Sequence, residues 1–269
     1  EYGYNSGTTW GFGDTWTVEM WFKTSTDSQM TLFDLHNDST NDNRIRLLVK
    51  SSDDYLYLQT YDDGTPTENT ISAPVDVIDG KWHHVAATSS GTVLQIYIDG
   101  KLMTETTATV DRAADPTMRL RLGRLHPSSS EYFNGCIDEV RMFSDVRTQA
   151  EIRADMFQGG TLANSGNLVC RYSFDEGTGS TVDNSQGTGA RDLSLNDAGG
   201  AETAGLWAGA GAYTQGSSKL KMTGTKTINY VDDALVLHDL EVTSATTLKG
   251  CNKTTADLRM DGNLTVSGS

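Results

Sequence analysis

The chain has 269 residues, with 21 Lys+Arg against 36 Asp+Glu, 27 Gly, 4 Pro and 3 Cys. That length suits one large β domain or two medium ones with a real core, and 36% hydrophobic with 21% charged residues is a globular composition. No apolar run approaches about 18 residues, which excludes a helical membrane span, and a net charge of −15 argues against binding nucleic acid through its phosphates.

The charge is uneven. Residues 1–215 hold 15 basic and 30 acidic side chains, whereas 216–269 hold 6 of each. This shift marks a candidate boundary near Gly216, and it predicts that a glycan or ion partner of the first part is neutral or cationic. Cys136, Cys170 and Cys251 are too few and too scattered for a disulfide scaffold or a zinc motif. The start at Glu1, without a Met or a charged-then-apolar leader, reads as a processed N-terminus or a fragment.

Period-2 alternation dominates the first 145 or so residues. In Trp16-Thr-Val-Glu-Met-Trp-Phe-Lys23, Trp16, Val18, Met20 and Phe22 share one face, while Thr17, Glu19 and Lys23 lie on the other. Similar strands read at 44–50, 55–61, 82–88, 93–98, 119–124 and 133–143, separated by turn-rich stretches such as Ser25–Gln29, Asn37–Asn43 and Asp62–Pro66. Asp99-Gly100, between Gln95-Ile-Tyr-Ile98 and Lys101-Leu-Met103, predicts a type I′ hairpin. Many short strands with regular turns mean a β-sandwich or barrel. One helix interrupts them: Thr148-Gln-Ala-Glu151 is a capping box, Ile152, Met156 and Phe157 give an apolar stripe, and Gly159-Gly160 stops it.

The tail repeats itself. His238-Asp-Leu-Glu-Val-Thr-Ser244 resembles Gly262-Asn-Leu-Thr-Val-Ser-Gly268, 24 residues on, and Leu235-Val-Leu237 matches Leu258-Arg-Met260 at an offset of 23. Repeats of that length suit the coils of a β-solenoid, with a small β-sheet tail as the alternative.

The series Asp79-Gly-Lys-Trp-His-His-Val-Ala86, Leu94-Gln-Ile-Tyr-Ile-Asp-Gly-Lys101, Leu122-Gly-Arg124 and Phe133-Asn-Gly-Cys-Ile-Asp-Glu-Val-Arg-Met-Phe143 resembles the laminin-G-like, concanavalin A-like jellyroll family across roughly residues 10–157. The resemblance implies an all-β fold of two antiparallel sheets with one short helix, often a bound calcium, and commonly glycan or cell-surface binding. Family members usually open with a strand like Leu168-Val-Cys-Arg-Tyr-Ser-Phe-Asp-Glu176 and a loop like Asp183-Asn-Ser-Gln-Gly187, which here follow the helix. Either this element folds back to complete the jellyroll, the favoured reading, or it begins a second module. The resulting division is 1–157 jellyroll, 158–215 opening-strand element and 216–269 β-rich, solenoid-like tail. Fold-back would bring Cys170 near Cys136 as a disulfide pair; the alternative is two small thiols in the core. Leu206-Trp-Ala-Gly-Ala-Gly-Ala-Tyr-Thr214, Lys219-Leu-Lys-Met222 and the Leu-Thr-Val tail also resemble bacteriophage fibre and stalk repeats.

Catalytic signals are absent. The Glu-x-Asp-x-x-Glu strand of jellyroll glucanases has no counterpart, and Asp138-Glu139 and Asp175-Glu176 are strand neighbours expected to point to opposite faces. The His83-His84 pair reads as a structural feature. For calcium, which takes six to eight oxygens, the resemblance implies Asp138 with Asp183, against carboxylates capping backbone amides. The oxygen-rich loop Asn37, Asp38, Asn41, Asp42 and Asn43 is a second candidate ligand-binding or ion site, against an ordinary solvated turn. Tyr61, Tyr55, Tyr57 and Trp21 are candidate glycan contacts. The sequons at Asn37, Asn252 and Asn263 carry no functional expectation outside a eukaryotic secretory host.

The expectation is a non-catalytic recognition module for glycan or host cell surface, on a virion fibre or microbial surface. It is extracellular, homo-oligomeric in the manner of trimeric stalks and in contact with other virion or surface proteins. The rivals are a purely structural virion or surface-layer protein, and a hydrolase working through Glu19, Asp34 or Glu139.

Overall fold

The computed structural model describes residues 2–5, 10, 13–37, 43–62, 68–112, 118–125, 130–158, 162, 165–175, 181–186 and 191–196, and then seven strands between 219 and 266; for 2–5, 195–196 and those last strands it describes the backbone. The chain divides into two compact units, Glu1–Ser173 with Ser180–Thr203, and Phe174–Gly179 with Ala204–Ser269.

The first unit is a sandwich of two antiparallel sheets. One sheet has eight strands: β1 (Tyr2–Asn5), β3 (Met30–Asn37), β4 (Ile45–Val49), β5 (Leu56–Tyr61), β6 (Glu68–Ala73), β10 (Met118–Leu122), β13 (Thr181–Val182) and β14 (Leu193–Asn196), in the order β13-β14-β1-β10-β3-β4-β5-β6. The other has six: β2 (Thr15–Lys23), β7 (Trp82–Ser90), β8 (Val93–Ile98), β9 (Lys101–Thr107), β11 (Cys136–Phe143) and β12 (Leu168–Tyr172), in the order β12-β11-β2-β7-β8-β9. Alternation places Trp16, Val18, Met20 and Phe22 in the core, each fully buried. Strands β3 and β6 have no predicted counterpart. The first seven residues of β3 are buried whichever way they point, so the strand lacks a polar-apolar rhythm, while β6 is an edge strand of small polar residues.

The other face of β2 is buried too, because a helix covers that sheet. Helix α1 (Gln149–Asp155) starts with the full capping box between Thr148 and Glu151, and Ile152 packs on Ala86 and Tyr97. It is seated on the β8–β9 turn, where Gln149 Nε2 and Arg153 Nε both donate to the Gly100 carbonyl, at 2.9 and 2.7 Å. Asp99 and Gly100 adopt positive φ, 52° and 70°, as a type I′ turn requires. A Cβ at Gly100 would stand 2.8 Å from Arg153 Cγ. Phe157, expected on the buried stripe, is 55% exposed: the helix ends before it, and its ring leans on Trp21 with centroids 5.4 Å apart.

Residues beyond the helix enter both sheets. Strand β12 pairs with β11, and β14 pairs with β1 and β13. The β11–β12 register sets Arg141 opposite Arg171, a repulsive cross-strand pair. Glu139 resolves it. A bulge between Asp138 and Arg141, with Glu139 at φ 49°, swings that carboxylate between the guanidiniums, where it accepts from Arg141 Nη2 at 3.0 Å and from Arg171 Nε and Nη2 at 2.9 and 2.8 Å. The bulge also interrupts the simple alternation expected of Asp138 and Glu139. Asp175 lies outside β12, which ends at Tyr172, and Glu176 lies outside the described residues.

Cys136 and Cys170 form no disulfide. Cys170 pairs with Met142 whereas Cys136 pairs with Lys23 at the far end of the same strand, and six residues of strand are about 20 Å. Cys251 lies outside the described residues.

The second unit is built from parallel pairs. β15 (Lys219–Met222), β18 (Asp239–Val242) and β21 (Leu264–Val266) form one sheet, β16 (Lys226–Tyr230) pairs with β19 (Thr246–Gly250), and β17 (Ala234–Leu237) with β20 (Asp257–Met260). The repeated segments are bonded neighbours: Leu240 pairs with Leu264 and Leu235 with Leu258.

Replacing Glu139 with Ala leaves two guanidiniums facing each other without their bridge. Glu139→Ala is expected to lower stability by about 3 kcal/mol, read as a fall in the urea midpoint with an unchanged slope.

Candidate functional site

The cross-strand partners of the eight-stranded sheet can be followed from edge to edge. Thr181, Ser194, Tyr4, Arg121, Asp34, Arg46, Gln59 and Thr70 are successive partners, one per strand. The next row on the sheet runs Leu195, Gly3, Leu122, Phe33, Leu47, Leu58 and Ile71. Successive residues point to opposite faces, so from β10 to β6 the apolar row belongs to the core and the polar row to the outer face. At about 4.8 Å per strand the polar row spans roughly 34 Å.

Within it the side chains are stitched together. Arg44, just ahead of β4, donates Nε and Nη2 to the two oxygens of Asp34 at 2.7 and 2.9 Å, and His36 Nδ1 lies 3.4 Å from the same carboxylate. Arg46 donates to Thr31 Oγ1 (2.8 Å), to Gln59 Oε1 (3.1 Å) and to Glu131. Gln59 passes the chain to Glu68 at 2.6 Å, and Thr70 donates to that same oxygen. Burial lifts the Asp34 carboxyl, but hydrogen bonds from His36 and Arg44 and their charges outweigh it and hold it well below the usual carboxylate range. Burial lowers Arg46 to about 10.

The middle of this face is therefore closed, with Asp34, His36, Arg44, Arg46 and Gln59 all buried. Its flanks are open. On one side Tyr57 and Tyr61 are half-exposed beside exposed Glu68 and Thr70; Tyr57 donates to Asp53 at 2.5 Å and carries the Lys50 ammonium 4.1 Å from its ring centroid. Burial and Glu68 raise the Tyr61 phenol above its ordinary pKa. On the other side Arg119 and Arg121 are half-exposed.

Of the glycan and ion candidates drawn from the sequence, Tyr61 and Tyr57 stand on this face among the described residues. Tyr55 precedes β5, and Trp21 lies on the helix-covered face of the other sheet, donating Nε1 to the Met156 carbonyl at 2.7 Å. Asn37 ends β3. Asn43 is buried in a left-handed turn, where its carbonyl accepts from Arg112. Asp38, Asn41 and Asp42 lie outside the described residues. Asp138, on β11, accepts the Glu139 amide at 2.8 Å, while exposed Asp183 follows β13. Among the described residues no three His, Cys, Asp or Glu side chains converge on a point that could hold a metal ion.

The three acids of the hydrolase reading are dispersed. Asp34 belongs to the polar row, whereas Glu19 and Glu139 stand on the other sheet. Glu19 is sealed under α1, with His84 3.7 Å and Arg141 3.9 Å away; burial raises its carboxyl to about 7, more than Arg141 and Arg147 lower it. The residues that the sequence reading missed are Arg44, Arg46, Gln59, Arg119 and Arg121. Their signal was present as Arg-Ile-Arg and Arg-Leu-Arg alternation, but the register that joins them across strands was not.

The sequence matches the Concanavalin A-like lectin/glucanases superfamily over residues 4–153, and the chain belongs to it. Comparison with curated proteins gives no match. Among solved structures, a putative carbohydrate-binding protein from Bacteroides ovatus shares the fold with a TM-score of 0.55 at 16% identity, covering 72% of this chain. This chain spans 55% of that protein's length. A heptameric SAP-like pentraxin from Limulus polyphemus (TM-score 0.47, 14% identity, 61% of this chain and 85% of that one) and the Ruminococcus gnavus sialidase module CBM40 (0.45, 17%, 52% and 82%) are also similar. No helix among the described residues is long and apolar enough to cross a membrane.

Asp34 has a folded-state pKa below its unfolded value of about 3.9. Its contribution is thus complete above that value and lost as pH falls through the folded pKa. Asp34→Asn is expected to destabilise the protein at pH 7, by roughly 3 kcal/mol. The gap from wild type should narrow in urea titrations taken progressively below about pH 4.

Proposed function

We propose that this protein is a non-catalytic glycan-binding module whose ligand lies along the outer face of the eight-stranded sheet. The observation that carries the reading is the polar row itself, an uninterrupted line of hydrogen-bonding positions flanked by half-exposed Tyr57 and Tyr61. A sugar presents hydroxyls at its edge and C–H groups on its faces, so it needs polar groups held in place beside aromatic surface. Buried Gln59 fixes exposed Glu68, and Asp53 and Lys50 fix the Tyr57 ring, so the open flank is held in place before a ligand arrives. Membership of a lectin and glucanase superfamily, and the carbohydrate-binding relative from Bacteroides, support the same class of ligand. Against hydrolysis, Asp34, Glu68 and Glu131 are each engaged by hydrogen-bond donors on this face, and Glu19 and Glu139 belong to the other sheet.

The setting we propose is extracellular, on a virion appendage or microbial surface, with the parallel-strand unit as an oligomeric stalk. Its support is the stacking of segments at offsets of 20 to 24 residues and the resemblance of the tail to fibre repeats. The rival is a purely structural surface protein of the same fold, which binds no glycan.

Glycan-array screening of the whole chain separates the two. Binding that Tyr61→Ala or Tyr57→Ala weakens about tenfold, at an unchanged melting midpoint, is the expected result; a blank array overturns the reading. Calcium is a separate proposal that rests on the family resemblance, with Asp138 and Asp183 as its carboxylates. Excess calcium after EDTA is then expected to raise the melting midpoint, by the equivalent of about 2.7 kcal/mol at a hundredfold excess over Kd. An unmoved midpoint would remove the ion and leave the glycan reading intact.

A further inference from the structure

We infer that the buried carboxyl of Glu19 is a pH-operated catch on the C-terminal end of α1. Protonated, it leaves that end fastened to the smaller sheet; ionised, it draws Arg141 away and lets the end go. The catch lies on the sheet opposite the polar row, so it stands whether or not a glycan binds there.

Glu19 sits in the middle of β2, opposite Ala86 on β7 and Arg141 on β11, on the face that α1 covers. Both of its carboxyl oxygens are buried and neither has a hydrogen-bond partner. The titratable and charged groups around it come from every neighbouring element: His84 from β7, Arg141 from β11, Arg147 from the segment leading into α1, and Glu151 and Asp155 from the helix. The two guanidiniums are engaged elsewhere. Arg147 donates Nη2 to Asp155 at 2.7 Å and Nη1 to Glu151 at 3.4 Å. Arg141 donates to the carbonyls of Asp155 and Gln158 and to the Glu139 carboxylate. Each keeps its buried Nε unbonded, and neither makes a hydrogen bond to Glu19. A carboxylate is costly to keep buried without a donor, whereas a protonated carboxyl needs an acceptor. His84, which burial holds neutral by lowering it to about 3, has a ring nitrogen 3.7 Å away.

Once Glu19 ionises, Arg141 Nη1 is the donor within reach, 3.9 Å from it. That same nitrogen holds the Asp155 carbonyl at 2.6 Å, and Nη2 holds the Gln158 carbonyl at 2.6 Å. A guanidinium that turns to Glu19 releases both. They fasten the helix end, where the Met156 carbonyl also accepts from Trp21 and Phe157 rests on the Trp21 ring. The start of α1 is held separately, by the capping box and by the bonds of Gln149 and Arg153 to Gly100, so the motion is confined to the end. Burial raises the Glu19 carboxyl from its ordinary value of 4.5 to about 7. The stabilisation from its neutral form is complete below the ordinary value and is lost as pH rises through the folded one. The catch is therefore shut in mildly acidic solution and open above neutrality.

Hydrogen exchange on the whole chain tests this, from about pH 5.5 to about pH 8.5, expressed as protection factors so that the intrinsic pH dependence cancels. The amides of Met156 and Gln158 are bonded to the carbonyls of Ile152 and Asp155. They are expected to lose at least about tenfold in protection over that range, with the amides of β7 and β8 unchanged. Glu19→Gln should keep the helix end protected throughout, and Glu19→Met, uncharged and of similar length, serves if the amide is not accommodated. Wild-type protection that stays level across the range overturns the inference. So does a loss shared by β7 and β8, which would be global opening, and so does a loss that persists in the uncharged variant.

Discussion

Everything on the outer face of the larger sheet depends on strand parity. Because side chains alternate, a slip of one residue at a pairing exchanges the polar row for the apolar row in every strand beyond it. Phe33, Leu47 and Leu58 would then meet solvent, and Asp34, Arg46 and Gln59 would enter the core without their partners. The cost of burying an unpaired guanidinium or carboxylate is several kcal/mol, and it accrues at each strand. The two rows therefore hold the register jointly, one by what it buries and the other by what it cannot afford to bury. An outer face assembled from separate strands inherits its precision from that constraint.

Arginine serves both sheets in the same way. It carries five donors in a rigid fork, so one side chain can satisfy acceptors from several strands at once. Arg46 reaches Thr31, Gln59 and Glu131, which come from different stretches of the chain. Arg141 ties the smaller sheet to the end of α1 through the carbonyls of Asp155 and Gln158, at 2.6 Å each. A Lys at either place would carry the charge without the geometry.

The sandwich was legible because alternation is a local signal: β2, β4, β5, β7 and β8 declare themselves within a few residues. Strand β3 did not, since a strand covered on both faces has nothing to alternate. The candidate site was less legible still. Arg121, Asp34, Arg46 and Gln59 are neighbours only through three strand pairings, and register is a property of the folded sheet. The disulfide expectation failed on the same point, for proximity of strands says nothing about which residues lie level. The buried Glu19 could not be told from a surface acid in an alternating strand, because the helix that covers it comes more than a hundred residues later.

The order in which the chain is made adds a consequence of the β1 placement. Strand β1 lies between β10 and β14, and Tyr2 pairs with Asn196. During synthesis β1 meets β10 only after more than a hundred further residues have emerged, and β14 later still. The module thus assembles late and largely through distant pairings, which slows folding and leaves strand edges exposed meanwhile. Truncations that stop at the helix would remove β12, β13 and β14 together, leaving β1 and β11 as bare sheet edges prone to pairing with other chains.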